Sequence, residues 1–232
     1  MDLIAQGILN ALTLLWQRDP EVLSVLWLSL KVSGTATFLS LLLGVPTGTA
    51  LALTRFPGRR LLISFINTGM GLPPVVVGLI VSIFLWRSGP FGALRLMYTP
   101  GAMVIAQCII ASPIITGITM AAMGQLDPKL RLQMLGLGAS RWQMLWVLLR
   151  EARLPMLAAV MAGFGGIISE VGAVMMVGGN IPGETRVLTT AIVLETSKGN
   201  FDTALALGLI LLLLAFSVNL ALTLVQQRGR SQ

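Results

Sequence analysis

The chain has 232 residues, 55% of them hydrophobic and 11% charged, with a formal net charge of +7 and a mean hydropathy of +0.87. Soluble domains are roughly 45–50% apolar and about 25% charged, so this sequence offers too little polar surface to cover a water-facing fold, and the bilayer is its natural solvent. Histidine is absent and Cys108 is the single cysteine, which excludes a disulfide framework, a zinc cluster and a Ser/His/Asp or Cys/His catalytic centre.

No Gly-Lys-Ser/Thr triplet occurs, so there is no P-loop to cradle nucleotide phosphates. If ATP drives this protein, another chain binds it.

Residues 3–16 carry Leu3, Ile4, Ile8, Leu9, Leu12, Leu15 and Trp16 near helical spacing but stop at Arg18-Asp19-Pro20. The stretch is short for a crossing, and the pattern predicts an N-terminal helix lying in the interface over residues 1–18. It lacks the basic start and small-residue cleavage site of a signal peptide.

Crossing roughly 30 Å of hydrocarbon takes about 20 helical residues, and five later stretches meet that length: residues 22–54, 61–86, 101–123, 154–177 and 203–225. Together they predict an all-α membrane protein with one transmembrane domain, residues 19–226, followed by a short tail, residues 227–232. The first span contains Pro46 between Gly44 and Gly48, the second is interrupted by Gly69-Met70-Gly71-Leu72-Pro73-Pro74, and the third contains Pro113. A break with two missing backbone donors survives in a membrane where protein or a water-filled path satisfies the freed groups.

Charge assigns the sides. Arg55, Arg59, Arg60, Lys129, Arg131, Arg141, Arg150, Arg153, Arg228 and Arg230 share one side with Asp127 and Glu151, a net +8. Arg18, Arg87, Arg95, Arg186 and Lys198 share the other with Asp2, Asp19, Glu21, Glu184, Glu195 and Asp202, a net −1. The positive-inside rule then puts the C-terminus and the loop of residues 125–153 in the cytoplasm, and the N-terminus and residues 178–201 outside. The basic excess therefore reports orientation, and nucleic acid is not an expected partner.

Within that loop, Asp127-Pro128 starts a helix, Gly136-Leu137-Gly138 breaks it, and Ser140-Arg141-Trp142-Gln143 has the form of a capping box that starts another. A short helix presenting Ala139, Arg141 and Trp142 on so well punctuated a loop is either a docking knob for another protein or an amphipathic helix on the lipid surface.

Inside the membrane, Lys31 and Glu170 are the two ionisable residues, each costing roughly 2.5–3.5 kcal/mol if isolated at mid-bilayer. Their similar depth predicts that they approach or share a polar network, with snorkelling of Lys31 and a structural hydrogen bond for Glu170 as alternatives. Ser169, Glu170, Thr189 and Thr190 are the candidates for a translocation path or gate, and hydroxyls and backbone donors, including those at Gly163, Gly165 and Gly166, suit the passage of a polar solute. Close helix packing is the competing reading of those glycines and of Gly44 with Gly48. The apolar run of residues 187–194, too short to span, is predicted to dip back toward the membrane as a gate or as a docking surface. The methionines of the spans read as gap-filling side chains, and no metal site is expected.

The string from Leu135 to Trp142, followed by Leu154-Pro155, resembles the cytoplasmic loop of permease subunits of ABC importers, in which Glu-Ala-Ala, three residues and a Gly precede a downstream Leu-Pro. Gly138 matches the family glycine, while Leu132, Gln133 and Met134 stand at the Glu-Ala-Ala positions. The resemblance extends from Asp19 onward, through Gly44-Val45-Pro46, Phe56-Pro57-Gly58-Arg59, Leu72-Pro73-Pro74 and Ile168-Ser169-Glu170-Val171-Gly172-Ala173. Among permeases the chain looks most like those for oxyanions. The stretch from Glu170 to Asn180 and the stretch from Thr189 to Gly199 are more similar to tungstate permeases than to those for molybdate or sulfate.

The resemblance implies a type I ABC importer permease: a homodimer in the inner membrane of a bacterial cell, working by alternating access and importing tungstate. It further implies two ATPase subunits, which bind ATP and Mg, held by Gly138, Ala139, Ser140, Arg141 and Trp142, and an extracytoplasmic tungstate-binding protein. Two other readings differ in class: an ion-gradient transporter coupled through Lys31 and Glu170, and a non-transporting receptor whose loop recruits a signalling partner.

Overall fold

The computed structural model describes residues 2–228; residues 229–232 of the tail, Arg230 among them, lie outside the described residues. Among the described residues the regular structure is helical and no strand occurs. Helix α1 (Asp2–Trp16) ends at Arg18, whose backbone is left-handed (φ 50°). Asp19 then caps α2 (Pro20–Leu53), its carboxylate accepting from the amides of Glu21 and Val22 at 2.9 and 3.0 Å, with Pro20 at the first helical position. At 34 residues, α2 is about 50 Å long, so it tilts or protrudes from a bilayer core of roughly 30 Å.

Gly58 turns the chain (φ 86°) into α3 (Arg59–Met70), which is stitched to the end of α2 by Arg59 Nε donating to Leu51 O at 2.7 Å. Helix α4 (Pro74–Leu85) follows at 104° to α3. The interrupted second span is thus bent sharply where Pro73 and Pro74 remove donors. A loop with one 3-10 turn (Gly92–Leu94) leads to α5 (Pro100–Gly124), capped by Thr99.

Two short helices, α6 (Pro128–Gly136) and α7 (Arg141–Glu151), fill the loop predicted to face the cytoplasm. The chain then bends by 66° into α8 (Arg153–Ile168). Last come α9 (Gly172–Gly178), α10 (Leu188–Ser197) and α11 (Phe201–Arg228). Helices α2, α5 and α11 are each long and apolar enough to cross a membrane, and five crossings result if each bent pair counts as one.

The predicted span 154–177 is not one helix. Ser169 Oγ bonds back to the carbonyls of Gly165 and Gly166 at 3.1 and 3.3 Å, and Glu170 Oε1 accepts from Ala173 N at 3.2 Å. The serine satisfies the end of α8 and the glutamate the start of α9, so the local side chains replace the helical ladder across the gap.

Helix α5 is the centre of the bundle, packed by α2, α3, α4, α8 and α9. Its seam with α2 is a ladder of small residues and hydroxyls. A Cβ on Gly44 would sit 2.8 Å from Ile115 Cγ2, and one on Gly48 would sit 2.6 Å from Thr116 O. Ser112 Oγ donates to Ser40 Oγ at 3.4 Å, Ser40 Oγ to Cys108 O at 3.2 Å, and the hydroxyls of Thr47 and Thr116 lie 3.3 Å apart. Lipid gives no hydrophobic drive for helix association, so close backbone approach and interhelical hydrogen bonds supply it. Close packing is therefore the role of Gly44 and Gly48. It is also the role of Gly163, whose added Cβ would lie 2.8 Å from Ile115 Cδ1.

Helix α1 runs antiparallel to the start of α11. Gly7 lies against Leu205, and Asn10 Nδ2 donates to Asp202 Oδ2 at 3.4 Å.

Candidate functional site

Two regions carry the residues singled out from the sequence: the α6–α7 loop, and the junction of α8, α9 and α10.

In the loop, Gly138 is left-handed (φ 75°) with nothing within 4 Å of where a Cβ would stand, so conformation rather than space requires a glycine there. Its amide and that of Ala139 close the end of α6 on Leu135 O and Met134 O, both at 3.0 Å. The capping box is formed in full: Ser140 Oγ accepts from Gln143 N at 3.3 Å, and Ser140 N donates to Gln143 Oε1 at 2.8 Å. These bonds aim the apex outward. Trp142 is 80% exposed and Leu137 82% exposed.

Leu137, read from the sequence as part of the helix break, stands at the apex, and Trp146, which the sequence reading passed over, is 63% exposed with the Arg150 guanidinium 5.6 Å from its ring centroid. The spacing Trp142, Trp146, Arg150 at i, i+4, i+8 marks one face of a helix and was the signal available. On the opposite face, Leu148 is buried with Met123 and Ala152 against Ala52 and Leu53. The exposed loop is thereby bolted to the ends of α2 and α5.

At the second region, Thr189 Oγ1 donates to Glu170 O at 3.0 Å, and Leu188 N donates to Ser29 Oγ at 2.9 Å. The start of α10 is thus pinned between α2 and the α8–α9 break. Thr190 is buried, with its hydroxyl accepting from Val187 N at 3.0 Å. Of the predicted path residues, Thr189 and Thr190 are buried, Glu170 is half-buried and Ser169 is exposed. Gly165 has open space beside it, and Gly166 meets only Ile114 Cδ1, 3.8 Å from an added Cβ. These two glycines and Ser169 form an open face, unlike Gly163.

The predicted approach of Lys31 to Glu170 does not occur. Lys31 is exposed, and among the described residues it forms no ion pair. At 100° per residue it lies about 200° around α2 from both Ser29 and Ser33, which are buried, so its side chain leaves the bundle.

Residues 179–187 join α9 to α10 through a tightly turned loop. Gly179, Asn180 and Gly183 are left-handed; Thr185 Oγ1 donates to Gly178 O at 2.5 Å and accepts from Ile181 N at 2.9 Å. Arg186 bonds Asn180 Oδ1 at 3.3 Å and pairs with Glu21 at 3.2 Å. At the far end of α10, Glu195 accepts from Asn200 and from Lys198, each at 2.8 Å. The Asn200 amide, then Lys198, holds its carboxyl below the ordinary carboxylate range. None of the contacts of Asn180, Thr185 and Arg186 was visible in the sequence, because each joins residues through loop conformation.

Residues 42–231 match the model of the family described as "Binding-protein-dependent transport system inner membrane component". The chain belongs to this family of inner-membrane permeases. It is 38% identical over 227 residues to the tungstate uptake system permease protein TupB of Peptoclostridium acidaminophilum, covering 98% of this chain and 100% of that one. It is 42% identical over 203 residues to a probable anion ABC transporter permease protein of Haloferax volcanii, covering 85% and 88%. A structure of the MetNI methionine ABC transporter shares the fold, with a TM-score of 0.75 at 18% identity over 93% of this chain and 97% of that one. The permease is thus an inner-membrane component of a binding-protein-dependent system, of the type I ABC importer fold.

Proposed function

We propose that the permease forms a homodimer that imports tungstate by alternating access, driven by two ATPase subunits on its cytoplasmic loops and supplied by an extracytoplasmic tungstate-binding protein. ATP and Mg are held by the ATPase; this chain contributes motion and a path through the lipid bilayer. Its N-terminus lies outside and its C-terminus in the cytoplasm, in accord with the charge asymmetry.

One observation carries the coupling role: a loop whose apex exposes Leu137 and Trp142 while its underside buries Leu148 against the ends of α2 and α5. Aromatic side chains of this kind anchor protein interfaces. A push on the apex moves the bundle because the contact beneath it is close-packed and does not yield.

The choice of tungstate rests on similarity along the whole chain to a tungstate permease. Uptake by the reconstituted complex, with tungstate, molybdate and sulfate in competition, tests it. Tungstate carried in preference to the other two supports the reading; equal or better carriage of molybdate or sulfate assigns the permease to that oxyanion instead.

A further inference from the structure

Residues 86–99, between α4 and α5, hold two arginines in one cavity. Arg87 and Arg95, with Leu85, Gly92 and Met97, line a space of about 440 Å³, and no carboxylate is among the lining residues. Neither guanidinium has an ion-pair or hydrogen-bond partner among the described residues, whereas two other cations of the same side, Arg186 and Lys198, are paired with Glu21 and Glu195. Two cations left together without a counter-charge repel each other, so their pairing in one cavity leaves a place for an anion.

The backbone beneath them is rigid. A Cβ on Gly92 would strike the carbonyls of Trp86 and Arg87, and one on Gly89 would strike that of Ile83. Phe91 N donates to Phe84 O at 2.9 Å, and the two phenyl rings stack with centroids 6.1 Å apart. Arg95 and Tyr98 are both left-handed (φ 51° and 60°), a conformation that persists where surroundings enforce it. Tyr98 is held by its amide donating to Val177 O at 2.9 Å, and its ring lies against Gly179. Met97 packs on the cluster containing Val177 and Val187. The cavity therefore adjoins the end of α9 and the loop that leads to α10.

We propose that Arg87 and Arg95 form an outer capture site for a tetrahedral divalent oxyanion, upstream of the membrane path; this rests on the oxyanion reading above. Guanidinium forks match oxyanion geometry. A cleft of one sign raises the local anion concentration, and exposure of both arginines keeps the hold weak enough for onward release.

The test is equilibrium dialysis of tungstate against the purified permease–ATPase complex without binding protein, with acetate as the competing control anion. Wild type is expected to bind tungstate saturably, the Arg87→Gln/Arg95→Gln variant about tenfold more weakly or worse, the double Lys variant at an intermediate level, and Lys198→Gln like wild type. Absence of saturable binding in wild type, or equal binding by the double Gln variant, overturns the site. A double Gln variant that binds tungstate normally but needs more binding protein to stimulate its ATPase also overturns it, in favour of a docking surface. Uptake by the wild-type complex in proteoliposomes separates the two readings: no tungstate uptake defeats the proposed function, whereas uptake with unchanged binding in the variant defeats the capture site alone.

Discussion

Thr189 donates its hydroxyl to the main-chain oxygen of Glu170 at 3.0 Å, joining the start of α10 to the gap between α8 and α9. Glu170 is thus held at both ends, since its carboxylate accepts from Ala173 N. The bond therefore fixes the start of α10 relative to the α8–α9 gap.

Replacing Thr189 by Val keeps the shape and removes the donor. A neutral buried hydrogen bond contributes about 1 kcal/mol, and more where an acceptor is left unsatisfied. Thr189→Val is expected to lower the melting temperature in detergent, and Thr189→Ser to restore it. Equal melting of all three proteins would contradict the assigned contact.

The glycines separate into two groups. Gly48→Ala puts a methyl 2.6 Å from Thr116 O, whereas Gly165→Ala meets nothing within 4 Å. Overpacking costs about 1–3 kcal/mol, so the first variant should melt well below wild type and the second close to it. If Gly165→Ala melts normally but slows uptake, its open face belongs to a moving or water-filled surface.

Acid acts on the C-terminal end of α10. The Glu195 carboxyl is held below its ordinary value by Asn200 and then Lys198, so its stabilising contribution is present above the ordinary carboxylate range and is lost as pH falls through the lowered folded value. Melting of wild type and Glu195→Gln should differ at neutral pH and converge on acidification. A difference that persists unchanged through the acid range would contradict this account.

Much of this architecture was legible in the sequence. Asp127-Pro128 and Ser140-Gln143 signal helix starts through local chemistry, and the structure forms both caps. The gap at Ser169-Glu170 was not legible, because apolar residues on either side give a continuous hydropathy signal while one polar side chain ends α8 and the next starts α9. The separation of Lys31 from Glu170 follows from helical phase, which depth along a span does not convey. Arg186 meets Glu21 across 165 positions of sequence, a pairing that only the folded chain creates.

The coupling role of the loop is tested most directly by the ATP hydrolysed per tungstate imported in proteoliposomes holding the complete transporter, with Trp142→Ala and Arg141→Ala beside wild type. Truncating an interface anchor typically costs about 2 kcal/mol or more, so uptake should fall by about tenfold or more while the variants still insert, and the ATP consumed per anion should rise. Full uptake with unchanged, fully stimulated hydrolysis in both variants would contradict the account.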